Sequence, residues 1–483
     1  MKLTRVAVLA AVAAVAILAP APRARAYDAA TTHAGLTERA VLVSQLHRVL
    51  ARALSRPLGL FEPVGLSLDA LPPRQAQTLE ARLAALDPSM GAAAGPDGVA
   101  PALAWVIAGS VIATTPPERG QDFFFDPSRG AGLSESGSLT SFGNTLGLLM
   151  DTGGFRALFT GTQFNMTGRP STEWLRAPEN DTGLETFYGQ LEAAITGDRP
   201  AGRATALARA LLALGGVLAI LEDAGEPAHV RNDYARAYLA SRGPSPFDRG
   251  SPFEHFVAET YGRMGVPVAV TAVRRPTVAS FITAADGEGL ADRTQRRFFS
   301  DGSLPEDAVV DRGTTAAEVM IDARRSLPYA YPRLPRLELK SMGRRHYAHA
   351  PDKRRLIAYE RVPGRVRFFL DEAVYADTAR VLLPEIAGYG AGLIDHLFRA
   401  EIHIEVADGA AQLSLAGAQG DVRKGEIHVF AEDGAGLRRP LATAPAGATA
   451  RVTIPAGTKR IAAVLRGEDD AGELVAVGEA AIR

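Results

Sequence analysis

The chain contains no cysteine, which excludes disulfides, thiolate-held zinc and a cysteine nucleophile in one step. Aromatic residues are scarce, at 7% of 483 residues with only two tryptophans. Neither sign of charge is in excess: 53 Lys and Arg face 54 Asp and Glu, a net charge of -1. Overall charge therefore selects no partner, whether nucleic acid, membrane or acidic substrate, and rules none out. Any metal has to be held by His, Asp, Glu or a chain terminus. What is present is ordinary for a folded chain, with 47% hydrophobic and 22% charged residues and length enough for two or three domains.

Residues 1–26 read as a secretory signal. Lys2 and Arg5 give a positive start, Val6 to Ala19 is unbroken apolar, and Ala24-Arg25-Ala26 fits a small-residue cleavage site. The apolar run is too short for a membrane span, and without a cysteine there is no lipoprotein anchor. Cleavage after Ala26 makes Tyr27 the new N-terminus, so a secreted or periplasmic protein with no transmembrane segment in the mature chain is expected.

Thr31 or Thr32 is placed to cap a helix whose apolar stripe is Leu36, Ala40, Val43, Leu46 and Leu50, with His33 in its first turn. Helical periodicity continues between Leu79 and Ile112, apart from the Gly- and Pro-rich patch Gly91 to Pro101. Gln121 to Leu133 is a loop whose Phe123-Phe124-Phe125 run should pack inward. Ala204 to Leu221 carries Arg209 as its only charge and is apolar nearly all round, as expected of a central bundle helix. Another helix should start at Pro252. Arg263 to Arg325 shows no consistent period. Arg333 to Arg367 holds eleven Lys or Arg against three acidic residues, interleaved with Tyr347 and Tyr359. Either it faces an anionic membrane or nucleic acid, or it is a solvated crossing between domains. Asp371 to Arg399 returns to helical character.

After Ala400 the period changes to two. Ile402, Ile404 and Val406 alternate with His403 and Glu405, and Ile427 and Val429 flank His428, with turn signals between such runs. This spacing predicts a small β-sandwich, with His403 and His428 on its solvent face.

The stretch Leu214 to Tyr234 carries the strongest chemical signal. An apolar run delivers Asp223 to its polar end, Gly225 and Pro227 break the helix, and His229 and Asn232 follow. A carboxylate and an imidazole six residues apart around a fixed break can be aimed at one metal ion. The plainer alternative is a helix C-terminus with a satisfied histidine in the next turn.

The run Asp223-x-x-x-Pro227-x-His229-x-x-Asn232 resembles the corresponding motif of bacterial zinc-dependent phospholipases C and of single-strand-specific zinc nucleases. Three further segments are similar to that superfamily in the same order: Tyr27 followed by His33, the loop Phe123-Phe124-Phe125-Asp126-Pro127 where the family has His-Phe-Tyr-Asp-Pro, and Phe253-Glu254-x-Phe256-Val257. The resemblance implies a mainly α protein, a phospholipase C-like helical bundle followed by the C-terminal β-sandwich. Its units would be a signal peptide (1–26), the helical domain (27–262), a mixed extension ending in a helix that packs on the bundle (263–400), and the β-sandwich (401–483).

It also implies zinc, held by the amine and carbonyl of Tyr27 with His33, Asp223, His229 and Glu254. Other family ligands are missing: Ala113 or Thr114, Phe123, Ala219 and Gly250 stand where the family has Asp or His. The Phe123 ring is expected to fill the volume left by one lost metal and by Ala219. A second register is open at His255 and Glu259, an i, i+4 pair that meets on one helix face; His255 points about 100° from Glu254. Tyr27, His33 and Asp223 with a water could hold one zinc, or Asp223 and His229 could hydrogen-bond each other as a remnant.

Three functions are compatible with this pattern. The first is a phospholipase C-like protein with a degenerate zinc site that binds a phosphorylated ligand or phospholipid headgroup with little turnover. The second is an active zinc-dependent phosphodiesterase with one or two ions. The third is an envelope adhesion or structural protein that uses the β domain.

Overall fold

The computed structural model describes residues 29–83, 86, 97–115, 117–138, 163–233, 251–264, 270–305, 307–310, 313, 315–317, 334, 337–339, 341–447 and 449–482. Its main helices are α1 (Ala34–Val43), α2 (Leu46–Arg52), α3 (Pro73–Leu83), α4 (Ala102–Ile112), α5 (Leu184–Thr196), α6 (Pro200–Asp223), α7 (Pro252–Met264), α8 (Leu290–Arg297) and α9 (Glu372–Leu397). A π-helical turn at Ala29–His33 runs straight into α1, whose N-cap residue is His33 and makes no side-chain capping bond. The helix stops at Ser44, whose Oγ accepts the Leu46 N–H (3.2 Å) as α2 restarts. The expected single stripe is thus split over two helices.

The axis of the helical part is α6. Leu211 to Leu221 are all buried, because α4, α5 and the strand Pro63–Ser67 pack around them. Among the described residues, α6 is the one helix long and apolar enough to cross a membrane, and it is buried within the protein over nearly its whole length. Two glycines explain how closely it packs. A Cβ at Gly215 would collide with the Val106 carbonyl, and one at Gly109 with the Leu212 carbonyl, so α4 and α6 meet backbone to backbone. Helix α9 lies against α1, α6 and α7 and closes the far side.

The mainly α class with a terminal β-sandwich does not hold. Residues 401–481 form one antiparallel-dominated sheet of seven strands, and its end strands Arg438–Pro445 and Ala450–Thr453 approach each other, so that the sheet curls almost into a barrel. Along its strand Arg460–Asp469, Ile461, Ala463 and Leu465 face the sheet's own interior, while Ala462 and Val464 join the helical core beside α5. A second sheet has four strands, Ala308–Val309, Arg365–Phe369, Arg355–Val362 and Arg345–His349 in spatial order. Among the described residues, three further two-stranded pairs accompany the helices. The molecule mixes helix and sheet throughout.

The basic stretch hid its strands for a physical reason. In Arg365–Phe369, exposed Arg365 and Arg367 alternate with buried Val366 and Phe368, which is strand periodicity written in charge. Several of these arginines are locally matched. Arg345 pairs with Asp371 (2.8 Å), Arg355 with Asp377 (2.8 Å), Arg365 with Asp307 (3.1 Å) and Arg367 with Glu360 (3.2 Å). Arg361 donates to the Leu339 carbonyl (2.6 Å). His403 and His428 lie exposed on the terminal sheet.

Candidate metal centre

Helix α6 ends at Asp223, and the chain turns through Ala224–Pro227 into a short 3-10 turn, His229–Arg231. Gly225 is needed because the Ile386 side chain of α9 occupies the space a Cβ would take. Asn232 ends the turn with left-handed backbone (φ 49°, ψ 41°), which an asparagine tolerates better than most residues. Its Nδ2 donates to the Gly132 carbonyl (2.9 Å). The aromatic loop is stitched on from the other side. Phe125 N–H donates to the His229 carbonyl (3.3 Å), and the Phe124 ring stacks on the His229 imidazole at 4.1 Å. Asp126 is buried, and its Oδ1 accepts from Ser128 and from Gln295 Nε2 (2.8 Å), so it holds the loop rather than a ligand.

These elements bring Asp223, His229 and Glu254 together. Each offers one ligand atom, all within 4.8 Å of one another, and all three residues are buried. Glu254 comes from the first turn of α7. Its Oε2 accepts the Ser251 N–H (2.5 Å), which leaves Oε1 facing His229 Nε2 at 3.5 Å. His229 Nδ1 donates to the Phe123 carbonyl (3.3 Å), so its proton is on Nδ1 and Nε2 is turned to the carboxylate. His33 repeats the arrangement: Nδ1 donates to Glu222 Oε2 (2.5 Å), and Nε2 lies 3.5 Å from Asp223 Oδ1.

Those two separations test the fit of a cation. At 3.5 Å they exceed a normal charge-assisted hydrogen bond of about 2.7–2.9 Å. They match the edge of a tetrahedron around zinc, about 3.4 Å for bonds near 2.0–2.1 Å. A histidine whose Nδ1–H is fixed by a carboxylate or carbonyl while Nε2 points into the site is the usual support for a metal-bound imidazole. The 3.8 Å between His229 Nδ1 and Asp223 Oδ2 is too long for the remnant hydrogen bond between that pair.

Charge points the same way. Among the described residues, Glu222, Asp223, Glu226 and Glu254 are buried together with the imidazoles of His33 and His229. Burial alone would lower the His33 pKa, but the charges of Asp223, Glu222 and Glu254 overcome it and raise it to about 9. Burial pushes the Glu226 carboxyl up, and the neighbouring Glu254 charge pushes it further. A buried carboxylate surplus is costly unless protons or a cation neutralise it.

Of the sequence candidates, Asp223, His229 and Glu254 meet directly, and His33 approaches through Asp223. Tyr27 and Gly250 lie outside the described residues. Glu254, not the pair His255 and Glu259, enters the cluster; Glu259 is exposed. Ala113, Thr114, Phe123 and Ala219 are all buried, and Phe123 and Ala219 share the helical core.

Sequence reasoning missed Glu222, Glu226, Thr37 and Ser251. Thr37 Oγ1 donates to Glu222 Oε1 (2.7 Å), Ser251 Oγ to Glu226 Oε1 (2.8 Å), and His229 N–H to Glu226 Oε2 (2.7 Å). The signal available was the spacing Glu222-Asp223-Ala-Gly-Glu226 at the end of a helix with no other acid nearby. A Gly-Glu-Pro turn reads as solvent-exposed, which concealed Glu226.

No known family profile and no curated protein matches the chain. Among solved structures, the alpha-toxin of Clostridium perfringens, from avian strain SWCP, aligns over 95% of this chain and 100% of its own length. The identity is 11% and the TM-score 0.24, a likeness too slight to argue from.

Proposed function

We propose that the protein is a phospholipase C-like protein with a reduced zinc site, which binds a phosphorylated ligand or phospholipid headgroup with little or no turnover. The observation that carries this is the buried cluster itself: two imidazoles with their Nε2 atoms 3.5 Å from carboxylate oxygens, inside a surplus of buried acid. Asp223, His229 and Glu254 would hold the ion, with His33 adjoining through Asp223. Zinc bound there would supply charge to neutralise the carboxylates, and Lewis acidity toward a phosphate oxygen wherever one could reach it.

Burial supports the low turnover. Asp223 and His229 are 0% exposed and Glu254 2%, whereas a catalytic zinc keeps an open position for water and substrate. Among the described residues there is one such cluster, and Ala113 or Thr114, Phe123 and Ala219 stand where the family resemblance implies Asp or His. A secreted or periplasmic location, through the expected signal at residues 1–26, belongs to the same proposal, as does peripheral contact with anionic membrane.

The test is metal content of the purified mature protein, followed by hydrolysis of bis(p-nitrophenyl) phosphate and phosphatidylcholine with and without chelator. Stoichiometric zinc with negligible hydrolysis is expected. Chelator-sensitive turnover would transfer the reading to an active phosphodiesterase, and absence of bound metal after zinc loading would overturn it.

A further inference from the structure

Helix α6 carries one charge along its apolar length, Arg209, which the metal centre does not use. Arg209 precedes Asp223 by 14 residues on the same helix, about 21 Å at 1.5 Å per residue. It opens on a separate cleft of about 380 Å³ between α3, α4 and α6, lined also by Arg74, Arg82, Arg119, Asp181 and Thr186.

The charges in this cleft do not cancel. Asp181 is shared by two guanidinium groups, with Arg82 Nη1 at Oδ2 (2.5 Å) and Arg119 Nη1 at Oδ1 (2.6 Å). Glu179, also in the lining, is taken by Arg169 at 2.7 Å. Arg209 forms no ion pair among the described residues, and Arg74 is exposed at the rim. Arg82 is 3% exposed; its Nη2 donates to the Ile112 carbonyl (2.8 Å), and its buried Nε has no acceptor among the described residues. Burial and the like charge of Arg119 both lower the Arg82 pKa, and burial lowers that of Arg209.

Several planar donor forks around one space, with Arg209 outside any ion pair among the described residues, suit an anion with several oxygens. The volume is that of a small-ligand pocket.

We propose that this cleft is an oxoanion site that takes a phosphate group, with Arg209, Arg82 and Arg119 as its donors and Arg74 at its mouth. The group is either free phosphate or the phosphate of a lipid headgroup. The proposal does not rest on the metal reading.

The test is isothermal titration of the full chain with inorganic phosphate at low ionic strength, and co-sedimentation with vesicles of phosphatidylcholine alone or of equal parts phosphatidylcholine and phosphatidylserine. Wild type should bind phosphate. Arg209→Gln should bind it roughly tenfold more weakly, Arg209→Lys less so, and Arg74→Gln should weaken it with a smaller effect. Arg209-dependent binding to vesicles without binding of free phosphate assigns the headgroup as the source. Zinc content, measured in the same samples, should be unchanged in every variant, which keeps failure of this site distinct from failure of the metal centre. If Arg209→Gln misfolds, Arg74→Gln at the exposed rim carries the test. No binding of phosphate or vesicles by wild type, or affinity unchanged in both glutamine variants, would overturn the proposal.

Discussion

At the C-terminal end of α6, Glu222 and Asp223 are sealed with Glu226, Glu254 and two imidazoles; midway along the same helix, Arg209 opens on a cleft crowded with guanidinium groups. One site is acidic and closed, the other basic and open. Both depend on one apolar helix for their position, yet they differ in what can satisfy them. Buried carboxylates have no access to water and need an internal cation or protons. Arginines that line an open cleft keep some contact with solvent until an anion displaces it. A closed site of this kind acts first on stability, an open one on binding.

The largest effect that would sharpen this contrast is zinc linkage. Zinc at a thousandfold excess over its Kd should raise the unfolding free energy by about 4 kcal/mol, read by urea denaturation, and Asp223→Ala should abolish the increment. An unchanged increment in that variant would place the ion elsewhere.

Next is pH dependence of the metal-free protein. The His33 pKa rises from 6.5 to about 9 on folding, so its contribution is complete below pH 6.5 and is lost as pH climbs through 9. That amounts to roughly 3 kcal/mol at most. Glu226 acts in the same direction, because its raised carboxyl keeps a proton that the unfolded chain has already released. The Tm of chelated protein should therefore fall between pH 6.5 and 9, and a rise over that window would contradict the electrostatic account.

Gly215→Ala strikes both regions at once by forcing α4 off α6, at about 1–3 kcal/mol. Zinc and phosphate affinity should drop together; loss of only one would show that the two sites do not share the helix as a support. The smallest stability effect is expected for Arg209→Gln, within about 0.5 kcal/mol of wild type by thermal denaturation, since this arginine has no ion-pair partner among the described residues to strand.

The spacing of Asp223 and His229 around Gly225 and Pro227 was legible because helix punctuation is local, and so were the apolar course of α6 and the period of two after Ala400. The strands at Arg345–His349 and Arg365–Phe369 were not, since they lie in a run of basic residues that looked like a charged crossing. The expected sandwich failed for a related reason. Period two reveals two-faced strands but not what covers the second face, and here Ala462 and Val464 are covered by helices.

The sequence by itself determined where α6 must be buried, where it must stop, and which carboxylate and imidazole flank the break. Tertiary structure alone decided that Glu254, rather than His255 and Glu259, completes the cluster, and that Glu222 and Glu226 surround it. It also decided that Arg209 shares a cleft with Arg82 and Arg119, more than a hundred residues away by Arg82. Helix ends follow from neighbouring residues, whereas the balance of charge in a buried site depends on groups far apart in the chain, which only packing brings within a few ångströms of one another.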